Sequence, residues 1–180
     1  LAAKYKAFFT NNGNKVEIAL GYATLYGDWG GAISPIGDLT KTEVVDMCKY
    51  INEVVFGEDI IPNQLFPDSL WRFQEDQIEP TAELKSNQVD PMKFGYHCKL
   101  LDELTNYQKK SIEDIMDWYL EGVLHEKLGI NEQLMLRWKI DNPKEFMKDI
   151  VGVYIFASRK YAKDYADIKE NRSVDGLIDL

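Results

Sequence analysis

Between Gly13 and Lys41 the chain reads GNKVEIALGYATLYGDWGGAISPIGDLTK, and this stretch holds the side chains best suited to chemistry. A carboxylate, Glu17, falls in the first turn of an expected helix, where the dipole favours negative charge. A lysine, Lys41, falls at the start of a second helix, where the same dipole disfavours a cation. That small cost favours a functional reason over a solvated surface lysine. Gly13, Gly21, Gly27, Gly30, Gly31 and Gly37 are six of the twelve glycines in the chain. The segment Tyr26-Gly27-Asp28-Trp29-Gly30-Gly31 has three positions without a Cβ, so its backbone can come close to a ligand. A glycine-punctuated loop between two helix starts is one way to build a nucleotide or phosphate site. Spacing alone does not choose between such a site and a packed turn.

The elements that must position these groups follow from periodicity and caps. Val16, Ala19, Leu20 and Ala23 share one face of a helix expected over Lys15 to Thr24. A short strand is expected over Ala7 to Asn11, with Asn12-Gly13-Asn14 as the turn that follows. Ile33 to Leu39 reads as extended. Thr40-Lys41-Thr42-Glu43 is a capping box, and it opens a helix over Lys41 to Val55 with Val44, Val45, Cys48, Ile51, Val54 and Val55 on one face. Phe56 to Pro80 is a long loop with Pro62, Pro67, Pro80, Trp71 and Phe73. Loops of this length in a compact domain are usually functional or mobile. Lys85 to Pro91 continues it as a polar segment. His97 to Tyr107 is expected to be a short helix. The best-marked helix is Ser111 to Leu128, capped by Ser111, with Glu113 and Asp114 in its first turn and Gly129 as its stop. Its face is Ile112, Ile115, Met116, Tyr119, Leu120 and Val123. Asn131 to Lys139 reads as helical. Pro143 opens a last helix toward Tyr165, and the polar tail from Lys169 is expected to fray.

Composition narrows the class. The chain has 180 residues, the size of one domain, and its 45% hydrophobic content supports a real core. Twenty-one basic against thirty acidic residues leave a net charge of -9. That argues against non-specific binding to nucleic acid or anionic membranes, though not against a nucleotide held by local groups. No apolar run approaches the roughly 18 residues of a spanning helix. The start, LAAKYKAFF, does not read as a signal peptide and reads better as the interior of a fold. Cys48 and Cys98 form no metal or redox motif and suit a reducing, cytoplasmic setting as structural thiols. His97 and Cys98 are adjacent, but neighbouring side chains on a helix point about 100° apart, so a catalytic dyad is not expected there.

Three separated motifs, in order, resemble those of the NAD synthetase family. The first is GNKVE followed by GYATLYGD and PIGDLTKTEV. The second is Pro80-Thr81-Ala82-Glu83-Leu84 with Asn87-Gln88 and Asp90-Pro91. The third is Asp117-Trp118-Tyr119-Leu120-Glu121-Gly122. The form is closest to the glutamine-dependent members, and the match covers roughly residues 1 to 130. The resemblance implies an α/β fold of the adenine nucleotide alpha-hydrolase type, a Rossmann-like parallel sheet with flanking helices. Residues 1–180 would be the helix-rich C-terminal part of that synthetase domain. The family's Ser-Gly-Gly-x-Asp-Ser phosphate loop and its glutaminase domain would then belong to a longer chain, and this piece alone is expected not to make NAD.

The resemblance also implies chemistry. ATP adenylates the nicotinate carboxylate of deamido-NAD, and ammonia, from glutamine in the longer enzyme, displaces AMP. Implied ligands are ATP, Mg2+ and deamido-NAD, with neither nucleic acid nor membrane as a partner, in a cytoplasmic homodimer or higher homo-oligomer. Carried over by position, Asn12, Lys41 and Thr81 would meet ATP. Glu17, Tyr22 and Asp28 would meet deamido-NAD, and Glu17 would also meet the metal. Asn12 replaces a threonine common in the family. Leu25 and Ala32 stand where short ammonia-dependent members carry lysine and aspartate, and no role passes to them. The C-terminal third departs most, with only Ser158-Arg159-Lys160-Tyr161 resembling the family's basic segment. Two other readings remain open at this point: a non-catalytic helical interaction module, and an ammonia-dependent synthetase lacking its start.

Overall fold

Helices form wherever the sequence supplies a cap and an apolar period of 3.6 residues. The computed structural model describes residues 2–22, 30–81, 88–106 and 110–161, with side chains as far as residue 153. They fall into two compact units, Leu1–Phe94 and Gly95–Leu180.

The first unit holds α1 (Ala2–Tyr5), α2 (Lys15–Leu20) and α3 (Lys41–Tyr50). Thr10 and Ile33 form an isolated parallel β-bridge. In it Asn11 N–H donates to Ile33 O at 2.8 Å and Ala32 N–H to Phe9 O at 2.9 Å. The expected strand Ala7 to Asn11 therefore reduces to this bridge. The expected extended run from Ile33 to Leu39 does too, because the chain turns through Pro35–Asp38 directly after Ile33. Gly31 makes the approach possible. A Cβ there would run into Asn11 N and stand 2.6 Å from Thr10 C.

The expected helix Lys41 to Val55 changes character at its end. After Tyr50 it widens into a π-helix over Ile51–Phe56. The wider turn carries the apolar period out of phase with the α-helical face. Val45 is accordingly buried while Val54 is 61% and Val55 58% exposed. Asn52, buried in the π-helix, donates to Ile61 O at 2.8 Å and accepts from Ile61 N–H at 3.0 Å, which clips the following loop. That loop, as expected, is mostly irregular, with one 3-10 turn at Asn63–Leu65.

The helix α4 (Phe94–Thr105) begins three residues before the expected His97. From Gly95 onward it belongs to the second unit, where Tyr96, Cys98, Leu100, Leu101 and Leu104 are buried. The expected single helix from Ser111 to Leu128 is two: α5 (Ile112–Leu120) and α6 (Leu124–Leu128). Between them Gly122 takes φ +76°, a left-handed conformation that ends α5. Within α5 the buried stripe is narrower than the expected face: Ile115 is fully buried, whereas Leu120, five residues on and rotated about 140° around the axis, is 76% exposed. Next come α7 (Glu132–Arg137) and α8 (Pro143–Tyr161). Asn142 accepts from Lys144 N–H at 2.9 Å and starts α8 with Pro143 in its first turn.

Phe146, Ile150 and Val153 form the buried stripe of α8. Tyr119 stacks on Phe146 with centroids 3.9 Å apart and donates to Asp141 O at 2.9 Å. Tyr119, on the expected apolar face, thus sits in helix packing. His97 is buried with its Nε2 3.2 Å from Asp149 Oδ1, a pairing across helices that the His97-Cys98 adjacency did not suggest. Burial pushes the Tyr96 phenol well above the usual tyrosine range, and the Asp149 charge adds to it. Among the described residues no helix is long and apolar enough to cross a membrane.

Candidate functional site

Two capping boxes bring the candidate groups together within the first unit. Asn14, 1% exposed, accepts from Val16 N–H at 2.9 Å and Glu17 N–H at 3.3 Å, and Glu17 Oε2 accepts from Asn14 N–H at 2.9 Å. Thr40, fully buried, repeats the pattern at α3: its Oγ1 accepts from Glu43 N–H, and Glu43 Oε2 accepts from Thr40 N–H at 2.7 Å. Lys15 N–H donates to Leu39 O at 2.8 Å, so the two helix starts are tied side by side.

The consequence is chemical. The cap occupies Glu17 Oε2, and Glu17 Oε1 lies 3.9 Å from Lys41 Nζ. Both side chains are partly exposed, at 18% and 27%. An anchored carboxylate and a partly exposed ammonium therefore meet at adjoining helix N-termini, an arrangement suited to phosphate oxygens and a counter-ion.

At its other end α2 stops at Leu20, four residues before the expected Thr24, with Gly21 at φ +70° as its cap. Gly21 N–H bonds Ile18 O at 3.3 Å and Tyr22 N–H bonds Glu17 O at 2.9 Å, the paired bonds of a Schellman stop. The stop directs Tyr22 to Gln88, whose Nε2 donates to the phenol oxygen at 3.0 Å. Loss of solvent, then the Asp90 carboxylate, raises the Tyr22 pKa above its ordinary value, and Glu17 contributes at longer range. Asp90 N–H in turn donates to Pro80 O at 2.9 Å, which holds the backbone next to Thr81 beside Asp90.

Glu17 and Lys41 are thus in direct reach of each other. Tyr22 joins Asp90 and the Pro80-Thr81 backbone through hydrogen bonds, and Thr81 is half-buried. Asn12 is exposed and its Oδ1 accepts from Thr10 Oγ1 at 2.9 Å, so its side chain is turned to its own turn. Asp28 lies outside the described residues, as do Leu25 and the expected tail. Sequence reasoning did not single out Asn14, Gln88 or Asp90 as site residues. Asn14 was signalled by its place three residues before Glu17, and the other two by the Asn87-Gln88 and Asp90-Pro91 run.

Among the described residues no group of three or more His, Cys, Asp or Glu stands close enough to hold a metal by itself. Mg2+ more commonly keeps several waters and takes one or two carboxylates plus substrate phosphates. Glu17 Oε1, partly exposed and 3.9 Å from Lys41 Nζ, could serve as the one carboxylate oxygen of that sparser donor set.

Comparison with known proteins addresses the family of the chain. The family described as NAD synthase matches residues 1–131. The chain is similar to the glutamine-dependent NAD(+) synthetase of Synechocystis sp., 39% identical over 90 residues, covering 50% of this chain and 14% of the relative. It is similar to that of Xanthomonas campestris, 37% identical over 118 residues, covering 64% and 19%. It is also similar to the NH(3)-dependent NAD(+) synthetase of Wolinella succinogenes, 37% identical over 92 residues, covering 51% and 29%. The chain therefore spans between 14% and 29% of the length of these relatives. No solved structure matches it. With the profile matching well over half of its length, the chain belongs to the NAD synthase family.

Proposed function

We propose that this chain is the C-terminal part of the synthetase domain of an enzyme that amidates deamido-NAD to NAD. In the reaction a nicotinate carboxylate oxygen attacks the α-phosphorus of ATP and pyrophosphate leaves. Ammonia then attacks the acyl carbon, a proton is lost, and AMP departs with the shared oxygen. The observation that carries the reading is the Glu17–Lys41 pair at two adjoining capped helix starts. Mg2+, when bound, supplies charge neutralisation at the phosphates. Glu17 is the residue that would hold it, 3.9 Å from the Lys41 ammonium.

Lys41 offers a point charge and three N–H donors to phosphate oxygens. Thr81 offers a hydroxyl to ATP, and Asn12 an amide. Tyr22, braced by Gln88 and Asp90, offers an aromatic wall to the dinucleotide, and Asp28 a carboxylate from the glycine loop. Excluding water from the acyl adenylate falls to the closure of the full active site. The parallel Thr10–Ile33 bridge supports an origin in the parallel sheet of an adenine nucleotide alpha-hydrolase fold, with the remaining strands, the phosphate loop and the ammonia source supplied elsewhere in a longer chain. The relatives use glutamine or ammonia. The GYATLYGD form favours glutamine, in a cytoplasmic enzyme acting as a dimer.

The test is a calorimetric titration of the chain with deamido-NAD and with ATP in the presence of Mg2+. Affinity that falls at least several-fold in Glu17→Ala is expected. No binding, or binding that ignores this substitution, would instead favour a non-catalytic helical interaction module. Ammonia-dependent NAD formation by the chain alone is expected to be absent.

A further inference from the structure

We propose that the Phe94 ring is the positioning element for the Lys41 ammonium, and that the loop between α3 and α4 exists in part to hold that ring. The inference rests on the reading that Lys41 meets phosphate.

Lys41 sits at the first position of α3, where the helix dipole repels a cation. Its partner oxygen, Glu17 Oε1, is 3.9 Å away, beyond hydrogen-bonding distance. A free lysine side chain also keeps considerable rotamer freedom, which an anion must remove on binding. A second contact limits that freedom. Lys41 Nζ lies 5.5 Å from the centroid of the Phe94 ring, within the range where the negative ring face attracts a cation. The ring accepts no conventional hydrogen bond, so it restrains the charge while leaving the three N–H donors available. A second carboxylate in its place would have neutralised the lysine and consumed donors.

The ring is itself fixed. Phe94 is 4% exposed and packs against Trp71 with centroids 5.7 Å apart and planes tilted by 39°. Trp71 has φ +55°, a conformation uncommon for a bulky residue and maintained only by its surroundings. Asp68 supplies them. Its Oδ1 accepts from Leu70 N–H at 2.8 Å and Arg72 N–H at 2.9 Å. Arg72 Nε donates to Asp68 Oδ2 at 2.7 Å, and Trp71 N–H donates to Asp68 O at 2.9 Å. A five-residue turn closed by one aspartate thus presents Trp71 behind Phe94, and Phe94 under Lys41.

The experiment measures binding of inorganic tripolyphosphate by calorimetry, together with the proton chemical shifts of the Lys41 ε-methylene, which a nearby ring displaces. In the parent those shifts should be upfield, and Phe94→Leu should abolish the displacement and weaken tripolyphosphate about twofold to tenfold. Phe94→Tyr, which keeps the ring, should retain both. In a Lys41→Met background, Phe94→Leu should weaken binding no further. Should Phe94→Leu not fold by circular dichroism, Phe94→Met serves the same comparison. If Lys41→Met weakens binding but Phe94→Leu does not, the positioning role fails and the phosphate role survives. If Phe94→Leu weakens binding equally with and without Lys41, the effect is structural and the proposal fails. If Lys41→Met has no effect, or the parent does not bind, the phosphate role fails and the positioning role falls with it.

Discussion

Replacing Gly31 with alanine tests whether the Thr10–Ile33 bridge is the frame on which α2 and its cap are hung. The new Cβ would collide with Asn11 N and stand 2.6 Å from Thr10 C and 3.0 Å from Asn11 Cα, all backbone atoms that cannot swing aside. The chain must either absorb the clash or part the two segments. Absorbing it costs about 1–3 kcal/mol as overpacking. Parting them loses two ladder bonds, also about 1–3 kcal/mol. Gly31 has no left-handed φ, so alanine also narrows the unfolded ensemble, which returns about 0.4–1 kcal/mol. A net loss of about 1–2 kcal/mol follows. The neighbouring Gly30→Ala is the control: its Cβ would meet only the tip of the Phe9 ring, Cζ at 3.2 Å and Cε2 at 4.0 Å, and Phe9 is 46% exposed. It should stay within about 0.5 kcal/mol of the parent. Urea unfolding reads the stabilities, and amide exchange at Asn11 and Ala32 reads the bridge itself. A Gly31→Ala protein as stable as Gly30→Ala, with both amides protected as in the parent, would refute the reasoning.

Three further perturbations have definite outcomes. Asn14→Ala removes the acceptor of two helix-start N–H groups and should cost about 1–2 kcal/mol in urea unfolding, with faster amide exchange at Val16 and Glu17. Asp149→Ala removes the carboxylate that lies 3.2 Å from the buried His97 Nε2 and should destabilise the protein by about 1–3 kcal/mol, a loss that Cys48→Ala on the other unit should not reproduce. Ser111 backbone and side-chain hydrogen bonds hold the Asp114 carboxyl below its ordinary value. A carboxyl depressed on folding stabilises above its unfolded pKa, near 3.8, and that support is lost as pH falls through the lower folded value. Carbon NMR of Asp114 should therefore show titration on the acid side of that value, and Ser111→Ala should move it upward.

What the sequence determined is what four or five consecutive residues can decide. Thr40 with Glu43, Ser111 with Asp114, and Asn142 before Pro143 all act as helix starts, because a cap is a bond between near neighbours. The family is legible for the same reason, since its motifs are short runs in order. Sequence reasoning went wrong where a helix changes its pitch or stops early. The π-turn after Tyr50, the Gly21 stop and the break at Gly122 each follow from how a short helix meets its surroundings, and apolar periodicity runs through them unmarked. The candidate site belongs to tertiary structure almost entirely. Gln88 finds Tyr22 across 66 residues, Lys41 finds both Glu17 and Phe94, and His97 finds Asp149 rather than its neighbour Cys98. No local preference encodes those meetings, because they arise only when apolar burial brings remote segments together and leaves their polar groups to find partners.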